Sequence, residues 1–208
     1  MCTVHCIYNT LPPFYAFFVL FMWVRRPVVV LTPRQKVEHS RDANAMADAG
    51  GLMEARTQVA ARPESIKVQR LGCSALLKLA RGDAACKQAV VDAGGVAAVV
   101  AAMGRHTADA EVQCWGCCAL GTLADGGVAC KQAIVDAGGV AAVVAAMGQH
   151  TADAKLQRWG CRALRNLACR DAACKQAVVN GGAVVAVVAA MGEHTADAEL
   201  QRLGSGAL

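Results

Sequence analysis

The stretch Val68-Gln69-Arg70-Leu71-Gly72-Cys73 returns as Val112-Gln113-Cys114-Trp115-Gly116-Cys117. It returns again as Leu156-Gln157-Arg158-Trp159-Gly160-Cys161, and once more as Leu200-Gln201-Arg202-Leu203-Gly204-Ser205. The offset is 44 residues each time, without a gap. Self-similarity at a period of 20–50 residues is the mark of a repeat architecture. Full units therefore span 68–111, 112–155 and 156–199, with a partial unit at 200–208. Stepping back by one period from Asp92-Ala93-Gly94-Gly95 lands on the identical Asp48-Ala49-Gly50-Gly51, so a degenerate partial unit covers 47–67. The chain divides into an N-terminal segment, 1–46, and a repeat domain, 47–208.

Each unit reads as three helices. In the first, Ala84–Asp92 is a short helix stopped by Gly94-Gly95, because glycine accepts the left-handed conformation that closes a helix. Val96–Met103 (VAAVVAAM) is almost wholly apolar, the pattern of a helix buried on most sides. Thr107 and Asp109 offer cap oxygens to a third helix over about 109–124, and Glu111 falls in its first turn, where negative charge suits the helix dipole. That helix sets Val112, Trp115, Gly116, Ala119, Leu120 and Leu123 on one stripe. Gly116 costs helix propensity, about 1 kcal/mol relative to Ala, which makes sense only if a neighbouring helix crosses close by. One unit cannot bury such stripes alone, whereas stacked units can.

These residues resemble the armadillo repeat. The resemblance lies in GC-x-AL-x-NLA (Gly160–Ala168), CKQAVV (Cys174–Val179), the Gly-Gly turn and VAAVVAAMG-x-H, and it covers roughly 47–208. The flavour is similar to the armadillo region of leucine-rich repeat kinases and of many uncharacterised eukaryotic armadillo proteins. It implies an all-α fold, a right-handed α-solenoid with three helices per repeat. It also implies a non-catalytic scaffold whose third helices line a concave groove for a peptide or protein segment. Importin-alpha members clamp basic peptides with a Trp and an Asn four residues apart. The corresponding positions here are Ser74/Lys78, Cys118/Thr122 and Arg162/Asn166, and of these Asn166 alone matches. Trp115 and Trp159 fall three residues earlier, on the core stripe. A receptor for nuclear-localisation signals is therefore not expected.

The groove candidates are the polar positions of the third helices: Arg70, Ser74 and Lys78; Cys114, Cys118 and Thr122; Arg158, Arg162, Arg165 and Asn166; and Arg202. The third set shares one helical face and forms a weakly basic groove suited to acidic segments, since Arg pairs carboxylates in bidentate fashion. Over Ala84–Gln113 against Val128–Gln157 the sequences differ at only five positions: 84/128, 90/134, 105/149, 111/155 and 112/156. Exposed residues are as alike as buried ones, which is the signature of recent duplication.

Catalytic signatures are absent: no G-x-S-x-G, P-loop, G-x-G-x-x-G or H-E-x-x-H occurs, and no cofactor is expected. The net charge of +5 is not gathered into a Lys/Arg block, so nucleic acid is not an expected partner. Eleven cysteines, an odd number, do not suit a disulfide frame and favour a reducing compartment, cytoplasmic or nuclear. Cys73/Cys117/Cys161 and Cys86/Cys130/Cys174 recur as small buried residues. Cys114, Cys117 and Cys118 on one helix leave a metal or redox role as a lesser alternative. His106, His150 and His194 recur before the third helix and are expected to close that turn. Arg81-Gly82-Asp83 drifts to Asp125-Gly126-Gly127 and Arg170-Asp171-Ala172 in later units, so it reads as loop variation.

Phe14–Val24 (FYAFFVLFMWV) is an apolar run of 11 residues, short of the roughly 20 that a spanning helix needs. Three readings stand: an anchor, giving a membrane-tethered adaptor; a cleaved targeting segment; or an extension upstream of a start at Met46. Were it an anchor, Arg25, Arg26, Arg34 and Lys36 would hold the repeats in the cytoplasm. At the other end, the face beyond Val184–Met191 has no following unit in this sequence. That points either to a piece of a longer array or to end-to-end self-association.

Overall fold

The computed structural model describes residues Gly51, Arg56, Thr57 and 59–208. The apolar run Phe14–Val24 and the linker after it lie outside the described residues. From Ile66 onward ten α-helices follow in order: α1 (Ile66–Ala80), α2 (Ala84–Asp92), α3 (Gly95–Arg105), α4 (Ala110–Leu123), α5 (Val128–Asp136), α6 (Gly139–Gln149), α7 (Ala154–Ala168), α8 (Ala172–Asn180), α9 (Ala183–Glu193) and α10 (Ala198–Ser205). No strand occurs among the described residues. No single described helix is long and apolar enough to cross a membrane.

The turn glycines do what the sequence requires of them. Gly94, Gly138 and Gly182 sit at φ of +77°, +78° and +79°, and the first and second helices of the three units meet at 65°, 67° and 68°. The third helices α4, α7 and α10 open on an aspartate, whereas α1 opens on Ser65 without a side-chain cap bond. Asp109, Asp153 and Asp197 accept from the backbone N–H of Val112, Leu156 and Leu200 at 2.9, 3.1 and 3.0 Å. The cap is thus the Asp of H-T-A-D, and the Thr is not used. Asp83 and Asp171 cap the first helices in the same way.

Consecutive units stack in chain order as layers. Third helix lies beside third helix, α1–α4–α7–α10, and second beside second, α3–α6–α9. The core is a continuous row of small and aliphatic side chains, including Leu76, Leu77, Met103, Leu120, Leu123, Met147, Leu164 and Leu167. The expected close approach at Gly116 is present. A Cβ there would lie 2.5 Å from Met103 Sδ, and Gly160 stands in the same relation to Met147. At Gly121 the backbone of the next layer comes close, with Ala163 Cα 3.1 Å from where a Cβ would be.

Two sets of polar residues finish this frame. Gln113, Gln157 and Gln201 each donate from Nε2 to two carbonyls at the end of their own layer's second helix: Met103 and His106, Met147 and His150, Met191 and His194. Carbonyls at a helix end lack intrahelical partners, and this amide supplies one. The histidines act between layers. His106, His150 and His194 Nε2 donate to the carbonyls of Pro63, Thr107 and Thr151 at 2.8, 2.7 and 2.7 Å. Their backbone closes the turn, as expected, but their rings tie each layer to the one before.

Candidate protein-binding face

The candidate face is the outer side of α1, α4, α7 and α10. Its sequence-predicted residues fall into three groups. Arg70 and Arg158 are already engaged. Arg70 pairs with Asp109 and Glu111 of the next layer, both at 2.5 Å, and Arg158 pairs with Asp197 at 2.7 Å and Glu199 at 3.5 Å. Arg70 and the backbone N–H of Val112 together hold Asp109 below the usual carboxylate range, and the same pairing raises Arg70. Asn166 is buried and donates from Nδ2 to the carbonyl of Gly121 at 2.8 Å, so its amide faces the preceding layer. Lys78 and Arg202 are exposed, and Arg162 and Arg165 are half-buried. Of the other candidates, Ser74 and Thr122 are half-buried. Thr122 turns its hydroxyl back onto the carbonyl of Cys118.

Cys114 and Cys118 are not groove residues, being 6% and 3% exposed. The single-helix stripe missed this because α4 has neighbours on both sides and α3 beneath it, which buries nearly its whole circumference. Burial is also what pushes the Cys114 thiol up to about 11. Cys73, Cys114, Cys117, Cys118, Cys130, Cys161, Cys169 and Cys174 are free thiols. No group of three His, Cys, Asp or Glu among the described residues is placed to hold a metal ion.

The tryptophans shift the other way. Trp115 and Trp159 pack against the core but are only half-buried, because the buried edge of each helix is taken by Gly116 and Gly160 under their methionines. Lys155 Nζ sits 5.7 Å from the centre of the Trp115 ring, and Arg162 Cζ sits 5.2 Å from that of Trp159. Both distances lie within cation–π range. Arg158, Trp159, Arg162, Lys155, Glu199 and Leu203 line a cavity of about 310 Å³. Among the described residues neither Lys155 nor Arg162 is paired with a carboxylate. Their charges, with that of Arg81, reach the buried Cys118 thiol and partly offset the upward push of its burial.

Lys155 is the residue that sequence reasoning missed, and the signal for it was present. The unit pattern pairs Arg70 with Glu111 and Arg158 with Glu199. The middle unit has Cys114 in place of the arginine and Lys155 in place of the glutamate. Loss of the arginine removes the reason for an acidic partner, and the freed position carries a cation onto the face.

No protein-family model and no curated protein matches this sequence. Solved structures do. The crystal structure of an engineered protein is 29% identical with a TM-score of 0.66, over 75% of this chain and 60% of that one. A second engineered protein is 31% identical with a TM-score of 0.68, over 79% of this chain and 38% of that one. A designed armadillo repeat protein in complex with the peptide (KR)4 superposes with a TM-score of 0.69 at 20% identity, over 79% of this chain and 65% of that one. The fold is an armadillo-type α-solenoid. Its three-helix repeat agrees with the reading of each 44-residue unit, and the solenoid is the one that the armadillo resemblance implied. The chain spans about 60% of the length of the first engineered structures that it matches.

Proposed function

We propose that this armadillo-type solenoid is a non-catalytic scaffold that binds an acidic peptide or protein segment along the face of its third helices. The observation that carries this reading is the pair of cations lying over indole rings, Lys155 on Trp115 and Arg162 on Trp159. Neither is neutralised by a carboxylate among the described residues. Arg158 and Arg165 flank them on the same helix, and the half-buried guanidinium groups of Arg162 and Arg165 beside the exposed ammonium of Lys155 favour an incoming carboxylate. The designed armadillo neighbour was solved with (KR)4. A basic peptide of that kind on this face would meet Lys155, Arg162 and Arg165, so the charge preference here is the opposite. The GC-x-AL-x-NLA and AM-x-x-H signatures support grouping the chain with armadillo proteins of the leucine-rich repeat kinase flavour. The free thiols support a reducing compartment, cytoplasmic or nuclear.

Fluorescence anisotropy with the full chain tests the reading. A labelled Asp/Glu-rich peptide is expected to bind with an affinity that falls as salt rises, and labelled (KR)4 is expected not to bind. Lys155→Glu with Arg162→Glu should weaken the acidic peptide about tenfold or more, equivalent to about 1.4 kcal/mol. These positions are preferred to Arg158, whose reversal would also break the pairs to Asp197 and Glu199. Equal affinity for both peptides, or no change in the double variant, refutes the proposal.

A further inference from the structure

The units of this array are near copies, and the positions at which they differ are not spread evenly. Over Ala84–Gln113 against Val128–Gln157 five of 30 positions differ, and one of the five sets Lys155 against Glu111. The next stretch, Cys114–Leu123 against Arg158–Leu167, differs at four of ten: 114/158, 118/162, 121/165 and 122/166. Three of those four put an arginine where α4 has cysteine or glycine. Divergence between the copies has thus gathered Lys155, Arg158, Arg162 and Arg165 on α7.

Three of these cations converge. Lys155, Arg158 and Arg162 stand at i, i+3 and i+7 on one face of α7, and they line the cavity of about 310 Å³ with Trp159, Glu199 and Leu203. At the position of Arg162 the boundaries α1/α4 and α4/α7 carry Ser74 and Cys118, and at that of Lys155 they carry Lys67 and Glu111. The three-cation set therefore occurs, among the described residues, at the α7/α10 boundary alone.

Charge sets the chemistry of the ligand. Arg158 is engaged by Asp197 and Glu199 at 2.7 and 3.5 Å, and the same contact holds Glu199, the carboxylate of the cavity wall. Lys155 and Arg162 have no carboxylate partner among the described residues, which leaves two uncompensated positive charges. A carboxylate would balance one of them. A phosphate monoester carries a charge of about −1.5 to −2 at neutral pH and three strong acceptor oxygens, which matches both and suits the donor fork of Arg162.

Shape sets what bears the phosphate. A cavity of about 310 Å³ is at the lower end of the range of about 300–1,000 Å³ for ligand sites, so it has room for a side chain and not for a run of peptide. Trp159, half-buried, and Leu203, 4% exposed, give it an apolar wall beside its cations. An aromatic ring packs on such a wall while the phosphate on it reaches Lys155 and Arg162. A phosphoserine, with its short stem, covers no such wall. We infer that the cavity between α7 and α10 binds a phosphotyrosine side chain. The inference rests on the proposal that this face takes acidic segments, and it names the residue that anchors them.

Two measurements on the full chain test it, and the first is free of peptide. Phenyl phosphate and inorganic phosphate are titrated separately while NMR follows the indole N–H resonance of Trp159, assigned with Trp159→Phe. Phenyl phosphate is expected to shift that resonance saturably at concentrations where inorganic phosphate does not, and Arg162→Gln should weaken its binding about tenfold. In the second, the labelled Asp/Glu-rich peptide carries one tyrosine, phosphotyrosine or phosphoserine. The phosphotyrosine form should bind about tenfold or more tighter than the tyrosine form, and the phosphoserine form should gain much less. Lys155→Gln or Arg162→Gln should remove the gain, whereas Arg105→Gln, at the exposed end of α3, should leave it intact. Phosphotyrosine binding no better than tyrosine overturns the inference while the acidic-segment reading stands. Saturable binding of phenyl phosphate with no affinity for the unphosphorylated peptide supports the inference and overturns that reading instead. Equal shifts from the two phosphates, or equal gains from phosphoserine and phosphotyrosine, overturn the assignment to phosphotyrosine, because the anion then suffices. A gain that survives both Lys155→Gln and Arg162→Gln overturns it as well, because the phosphate then binds outside this cavity.

Discussion

Replacing Gln157 with methionine isolates the polar device on which every layer depends. The side chain is 1% exposed, and its Nε2 donates to Met147 O at 2.8 Å and His150 O at 3.0 Å. The two acceptors are not equivalent. His150 O also accepts from the Asp153 N–H at 3.1 Å, so it keeps a partner when the amide is lost. Met147 O lies past the last intrahelical bond of α6, and Gln157 is its partner among the described residues. Gln157→Met conserves length and apolar volume, so little of its cost comes from packing. An orphaned buried carbonyl costs about 1–3 kcal/mol and a lost net hydrogen bond about 0.5–1.5 kcal/mol. The expected loss is therefore about 2–4 kcal/mol, or roughly 30- to 1,000-fold in the local folding equilibrium.

Gln201 provides the control. It makes the same two bonds, at 2.7 and 3.2 Å, but it is only half-buried, so water can replace its amide. Gln201→Met should cost under about 1 kcal/mol. Repeat arrays need not unfold in one step, so the assay is hydrogen exchange of amides in α6 and α7 together with urea denaturation. Gln157→Glu adds a pH test. A carboxylate aimed at two carbonyls is disfavoured and its protonated form preferred, so the folded-state pKa of the new group is raised. Its penalty should then be small below the unfolded value of about 4.3 and should grow as pH rises through the raised folded value. Equal losses at positions 157 and 201, or a Gln157→Met variant within about 1 kcal/mol of the parent, would show that the amide is not what holds the layer together.

Two further outcomes follow from titrating groups. Burial pushes the thiol of Cys73 up to about 12 and those of Cys161 and Cys174 up to about 11. At pH 8 a thiol alkylator followed by mass spectrometry should therefore mark the exposed Cys169 first among the described cysteines. Labelling of Cys73 or Cys161 in the folded chain at a comparable rate would contradict the packed core. The capping and paired aspartates Asp83, Asp109, Asp171 and Asp197 are held below their ordinary value, by backbone N–H groups at 83, 171 and 197 and by Arg70 first at 109. Their stabilisation is present above the unfolded value of about 3.9 and lost as pH falls through the depressed folded values. Tm should drop on acidification below about pH 4. Arg70→Gln should flatten that drop, and a slope unchanged in this variant would count against the pair.

The helix limits show how much was legible in advance. Ala84–Asp92 was placed to the residue, and the third helix, read as about 109–124, runs Ala110–Leu123. The cap aspartates and turn glycines could be read because their effects are local. The candidate site was less legible. Arg70, Arg158 and Asn166 look like groove residues on an isolated helix, but each reaches into an adjacent layer and is used there. Cys114 and Cys118 look outward on a helical wheel and are buried by flanking helices. Trp115 and Trp159 look inward and are held half out by the methionines that occupy the space over Gly116 and Gly160.

What the sequence alone determined is the unit: three helices, their caps and turns, and the necessity of stacking, because those are set within a few residues or by a period that repeats without a gap. What only the tertiary structure decided is which polar side chains remain for a partner. That depends on contacts between residues about 40 positions apart, where one layer's arginine meets the next layer's carboxylates. In the middle layer the arginine is missing, and Lys155 is left over a tryptophan with its charge uncompensated.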